Sequence, residues 1–259
     1  MNTADEVAAA KAAPAVRFAR IDVLRGLAMV WMAGFHLCFD LNHFGLLEPR
    51  QNFYRDPFWL NQRTVIVTLF LLCVGLGQAV ALRAEATGGL ASRFSPRFWR
   101  RWLQVAACAL AVTLGSALMF PKSWIGFGVL HGIAVMLILA RLAAPLGTGL
   151  WPLAVGALLL PQLWRHPFFD EPYAHWVGLV TRKPITEDWV PVLPWVGVVL
   201  IGLALGRWLL GRRRSWLAGA VPRVTAPLAL LGRWPLSFYM LHQPVFIGII
   251  LGGRALGAW

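Results

Sequence analysis

The sequence predicts an all-α fold: a polytopic transmembrane helix bundle of about seven spans, with its N-terminus in the cytoplasm. Three observations carry this. Fifty-eight per cent of the residues are hydrophobic and only 14% are charged, against about 25% charged in soluble domains. Apolar runs of roughly 17–25 residues recur, the length that crosses a hydrocarbon core about 30 Å thick. The basic residues cluster at the ends of those runs, where they set topology. The net charge of +13 therefore speaks for membrane orientation, and nucleic acid is excluded as a partner.

The elements follow in order. Residues 1–19 are Ala-rich and include Asp5, Glu6, Lys11 and Pro14, which reads as a flexible cytoplasmic tail. No apolar h-region precedes a small-residue cleavage site, so the first span acts as the insertion signal. Residues 20–259 form one transmembrane domain, with spans expected at 21–44, 60–82, 98–120, 124–141, 149–164, 190–210 and 234–257. The fifth is the shortest and contains Pro152 and Pro161. With the N-terminus inside, sixteen of the 24 Lys and Arg residues face the cytoplasm, as the positive-inside rule requires. Two longer external segments remain, 45–59 and 165–189. The second mixes aromatic residues with both signs of charge, which suits either interfacial anchoring or a rim that meets a polar substrate. Cys38, Cys73 and Cys108 lie in apolar runs without metal spacing and read as buried thiols.

The first span, RIDVLRGLAMVWMAGFHLCFDLNHF, carries Asp22, Arg25, His36, Asp40 and His43. A helix turns about 100° per residue, so Arg25 and His36, eleven residues apart, lie within about 20° of one another. Asp40 follows one turn later and His43 returns to the same side. The four residues form a stripe, and it must face protein or a water-filled cavity, because a charge facing lipid near mid-membrane costs at least about 2.5 kcal/mol. Arg25 and Asp22 also fit an interfacial pair at a helix start, and His43 a rim residue. His131 and His242 lie at similar depth in spans four and seven, roughly 10 and 12 Å in from their starts, so the three histidines converge if the spans are right. Nothing shows ligand spacing within a helix, and no metal is expected. His242 belongs to LHQP, where Pro244 removes a backbone donor; a structural histidine satisfying the freed carbonyl is the competing reading.

These residues carry a resemblance. Arg20–Leu41 resembles the opening helix of bacterial members of the heparan-alpha-glucosaminide N-acetyltransferase catalytic family, through Arg20, Asp22, Arg25, Gly26, Met29, Met32, His36 and Asp40. CVGLG at Cys73–Gly77, FGVLHG at Phe127–Gly132, PVLPWVG at Pro191–Gly197 and LGRWPLSFYMLHQP at Leu231–Pro244 follow in order. Arg25 and His36 also fit the Arg–ten residues–His pattern of the wider transmembrane acyltransferase group. The resemblance implies an integral protein of a bacterial inner membrane. It would move an acyl group, most simply acetyl, from cytoplasmic acetyl-coenzyme A to an amine or hydroxyl of an extracytoplasmic sugar or glycan. In animal members the catalytic histidine lies in a loop beyond the first helix. His43 is nearer that position, while His36 fits the in-helix pattern and is favoured.

A neutral histidine suits deprotonation of the acceptor, with Asp40 orienting and stabilising the ring; a transient acyl-histidine is the alternative. Asp22, Arg25, His131, Trp195 and His242 are the substrate-binding candidates. Arg25 and the Arg cluster at 83–101 match the phosphates of coenzyme A, although topology alone also explains that cluster. The rival function is a proton-coupled small-solute transporter using the same midplane residues. The sequence leaves the oligomeric state open, a homo-oligomer included.

Overall fold

The computed structural model describes residues 17–85 and 92–257, and these form a helical bundle without strands. Most of the expected tail, residues 1–16, lies outside the described residues. The helices are α1 (Ala19–His43), α2 (Pro57–Ala84), α3 (Pro96–Met119), α4 (Val129–Ala143), α5 (Leu150–Leu163), α6 (Val192–Arg212), α7 (Arg214–Ala218), α8 (Ala226–Leu231) and α9 (Pro235–Ala255). Their starts obey local chemistry. Asp56 accepts from Phe58 N ahead of Pro57, and Ser95 accepts from Phe98 N ahead of Pro96. Each pairs a side-chain N-cap with proline at the first helical position, where the missing N–H costs nothing.

Among the described residues, six helical runs are long and apolar enough to cross a membrane. One of them, Val129–Leu163, is broken at Gly147, whose φ of 58° and ψ of −117° reverse the chain. Contacts with α6 show the reversal. In α4, Gly132 lies against Val190 and the following Ala144 carbonyl accepts from Arg207, so α4 runs parallel to α6. The chain leaves from the Ala144–Arg207 end, and Ala154 and Leu158 of α5 lie against Gly197 near the start of α6, so α5 runs antiparallel to it. The expected fifth element therefore exists, and its prolines are accommodated: Pro152 falls in the first turn and Pro161 near the C-terminus.

One expectation is corrected. The fourth helix starts at Val129, not at 124, because Ser116 Oγ accepts from Ile125 N while Thr113 Oγ1 donates to Ile125 O. Those bonds to α3 hold the chain out of the helix. The segment 213–234, between the sixth and last spans, carries helices of its own. It folds into α7, a single 3-10 turn and α8, and α8 packs on the start of α1.

Glycine sets how closely the helices approach. A Cβ at Gly75 would lie 2.1 Å from Val199 O, and one at Gly202 would lie 2.4 Å from Leu72 O. Farther along, Gly206 lies against Ala79 and Arg83 donates to Leu210 O, so α2 and α6 run parallel. A Cβ at Gly26 would lie 2.0 Å from Leu228 O, and one at Gly232 would lie 1.9 Å from Asp22 O. In lipid, backbone approach of this kind replaces the hydrophobic effect as the source of helix association. Arg141, only 2% exposed, ties α4 to its neighbours. It pairs with Glu85 at 2.7 Å, donates to Gln78 and Arg93 O, and covers the Phe98 ring at 4.3 Å. A buried cation persists only with such pairing.

Gly75→Ala and Gly202→Ala should each lower stability by about 1–3 kcal/mol, the usual cost of overpacking. Gly34→Ala, with nothing within 4 Å of its Cβ, should be silent. Thermal unfolding of the detergent-solubilised protein measures all three, and wild-type behaviour in Gly75→Ala would show that α2 and α6 do not meet there.

Candidate active site

A cavity of about 780 Å³ runs along the bundle axis. One end is basic and is lined by Arg25, Arg97 and Arg101; the other is lined by Tyr54, Arg63, Glu187 and Asp188. His36 of α1 and His242 of α9 line it between those ends.

The two histidines form one unit. His36 Nδ1 and His242 Nε2 are 2.6 Å apart, and the rings are nearly parallel, with 4.9 Å between centroids and 12° between planes. Hydrogen-bond logic fixes the tautomers. His242 Nδ1 lies 2.8 Å from Tyr239 O and 3.2 Å from Phe238 O. Carbonyls only accept, so Nδ1 carries the proton and, in the neutral ring, Nε2 of His242 is an acceptor. His36 Nδ1 must then donate to it. The lone pair of neutral His36 is thereby placed on Nε2, which has no hydrogen-bond partner among the described residues. The carbonyl that Pro244 frees belongs to Met240, four residues earlier, so His242 does not act as its substitute donor.

Asp40 does not orient His36. It is 3% exposed, and its Oδ1 accepts from Gln243 Nε2 at 2.7 Å. The reason is geometric: Gln243 follows His242 on α9, so one helix supplies a partner to each of two polar residues of α1. Asp40 Oδ2 and Gln243 Oε1 are buried without partners. His43 is exposed at the rim against Phe44 and Phe120 and does not line the cavity.

Of the three histidines expected to converge, His36 and His242 meet and His131 stands apart. His131 is engaged locally: Nδ1 accepts from Gly128 N at 3.3 Å, and Nε2 lies 3.1 Å from Thr113 Oγ1. Among the described residues no group of three potential metal ligands occurs. Trp195 packs on the apolar core and is absent from the cavity wall. Asp22, 6% exposed, accepts from Arg17 Nε and Arg25 Nη1, each at 2.9 Å, while Arg25 also donates to Gly232 O at 3.0 Å. Asp22 thus holds the Arg25 guanidinium by an ion pair.

Sequence reasoning missed Gln243, Tyr239, Arg63, Glu187 and Asp188, all of which line the cavity. Glu187 accepts from Tyr54 Oη at 2.7 Å and from Ser123 Oγ at 2.6 Å. Asp188 Oδ2 accepts from Val129 N at 2.7 Å, capping α4 from a distant loop because Gly128 has no side chain to do so. A Cβ at Gly128 would lie 2.4 Å from that oxygen. Burial pushes the Asp188 carboxyl above the ordinary range, although its backbone hydrogen bond and nearby Arg63 and Lys183 pull the other way.

An apolar bundle of helices long enough to span a bilayer makes the chain an integral membrane protein. A family model described as "Heparan-alpha-glucosaminide N-acetyltransferase, catalytic" matches residues 17–244, so the chain belongs to that family and is a membrane transferase. Neither the curated proteins nor the solved structures compared contain a match to it.

Asp188→Ala should cost about 0.5–2 kcal/mol, as loss of an N-cap does. Asp188→Asn keeps the acceptor and should cost less. A raised folded-state pKa means that the stability contributed at low pH fades as pH rises through that value. Wild type should therefore lose stability relative to Asp188→Asn over that rise, and parallel pH profiles of the melting temperature would show that Asp188 is not protonated more readily in the folded state.

Proposed function

We propose that the protein transfers an acetyl group from cytoplasmic acetyl-coenzyme A to an amine or hydroxyl of an extracytoplasmic sugar or glycan. The carrying observation is the His36–His242 pair, which leaves the His36 Nε2 lone pair free on a cavity reaching both ends of the bundle. Family membership supports the reaction class. The N-terminus is cytoplasmic in this reading and the membrane is a bacterial inner membrane; the basic balance of the loops supports the orientation.

The donor enters at the basic end. Arg97 and Arg101, one helical turn apart on α3, and Arg25 face the phosphates of coenzyme A. The acceptor enters at the end lined by Tyr54, Arg63 and Glu187. His36 Nε2 takes the proton of the acceptor N–H or O–H as that atom attacks the thioester carbonyl. The C–S bond breaks, and the departing thiolate recovers the proton from His36. While His36 is protonated, His242 Nε2 accepts the hydrogen bond from its Nδ1–H and shares the charge; the Phe238 and Tyr239 carbonyls keep His242 in the matching tautomer. The same lone pair would attack the thioester in an acyl-histidine route, and a burst of coenzyme A release without acceptor would select that route. The carrier alternative needs substrate-dependent proton movement in liposomes and no thioester turnover.

Single-turnover transfer from labelled acetyl-coenzyme A tests the assignment. His36→Ala should lose about 10²–10⁴ in rate, the usual cost of removing a general base. His242→Ala should lose a large part of that through the tautomer, and His43→Ala little, since it lies outside the cavity. Arg97→Gln with Arg101→Gln should raise the coenzyme A KM and flatten its salt dependence. Near-wild-type transfer in His36→Ala would remove His36 from the chemistry.

A further inference from the structure

A second concavity, of about 370 Å³, lies between the outer halves of α1 and α9, away from the axial cavity. Leu37, Leu41, Leu46, Phe246, Ile249 and Ile250 line it, with no polar side chain among them. It faces the membrane: Ile249 is 61% exposed, and Leu241 and Val245 on the same helix are 60% and 51% exposed. The groove is built by a helix cap. Gly45, with φ of 73°, ends α1 in the left-handed conformation, Gly45 N donates to Asn42 O and Leu46 N donates to Leu41 O at 2.7 Å. This pair of bonds is the Schellman arrangement, and it brings the residue after the glycine back over the last turn. Leu46 closes the groove against Leu41 in that way.

Two guanidinium groups stand at the closed end. Arg254 donates to Phe44 O and lies over the Phe44 ring at 5.5 Å. Arg50 Nη2 comes within 3.1 Å of the position a Cβ of Gly45 would take. Both cations thus converge on Phe44–Gly45, beside Leu46, and neither has an acidic partner among the described residues. An apolar slot in a membrane-facing wall, capped by two unpaired cations at one interface, matches one chemistry: an acyl chain joined to a phosphate.

We propose that this groove binds one anionic phospholipid of the leaflet at the Arg254 end. One acyl chain lies between α1 and α9, and the phosphate rests on Arg50 and Arg254. The groove-forming helices are those that carry His36 and His242, so the lipid braces the pair from outside without entering the axial cavity. The proposal does not depend on the transfer reaction.

Native mass spectrometry of the full chain, exchanged into detergent with phosphatidylglycerol or with phosphatidylcholine, tests it. One phosphatidylglycerol should remain per chain, and phosphatidylcholine should be held much more weakly. Removing one guanidinium, as in Arg50→Gln or Arg254→Gln, should weaken retention about fivefold, the effect of about 1 kcal/mol per interfacial cation. Ile249→Trp, an exposed position that should leave folding intact, should displace the chain and release the lipid. Equal retention of both lipids, or retention unchanged in all three variants, would show annular lipid only and overturn the proposal. So would a dimer that dissociates in Ile249→Trp with no change in bound lipid, because the groove would then be a subunit interface.

Discussion

The hydrogen bonds from His242 Nδ1 to the carbonyls of Tyr239 and Phe238 decide what the centre of this bundle can do. A carbonyl cannot donate, so the proton on that nitrogen is compulsory, and the choice propagates through His242 Nε2 to His36. The backbone of α9 thereby sets which nitrogen of a ring on α1 is basic. Such control survives where no carboxylate is available to do it. Asp40, the natural candidate, is committed to Gln243.

This arrangement needs α1 and α9 held in register over their whole length, and the structure does so from both ends. At the basic end the backbones of α1 and the α8–α9 turn touch through Gly26 and Gly232, and Arg25 reaches Gly232 O. At the opposite end Arg254 reaches back to Phe44 O. Between these ties the two helices run parallel, so the His36–His242 and Asp40–Gln243 contacts fall in sequence order. The α2–α6 glycine contact plays the equivalent part across the bundle, where the flat surfaces of Gly75 and Gly202 let two spans lie backbone to backbone.

The spans were legible because length and hydropathy are properties of one segment at a time. Even the short α5 was found, since apolar length outweighed its prolines. The start of α4 was not, because SWIGF is as apolar as a helix and only bonds to Thr113 and Ser116 keep it out of one. The helices α7 and α8 are five and six residues long, too short to show a period. In the site, the stripe on α1 placed His36 and Arg25 on the cavity. Pairing between helices was only partly legible: depth brought His242 to His36, but His131 found Thr113 and Asp40 found Gln243. Arg97 and Arg101 were visible as charge, but topology explained them equally well until the cavity wall included them.

Glu187 joins three connections that are remote in sequence: its carboxylate takes Tyr54 from the α1–α2 loop and Ser123 from the α3–α4 loop, while its own backbone N–H bonds to Ser123 O. The far mouth of the cavity is therefore not three independent loops. A single side chain makes it one cooperative unit, whose amides should open to exchange together. Its aperture would change as a step, with the shared carboxylate released or held, and without any movement of the spanning helices.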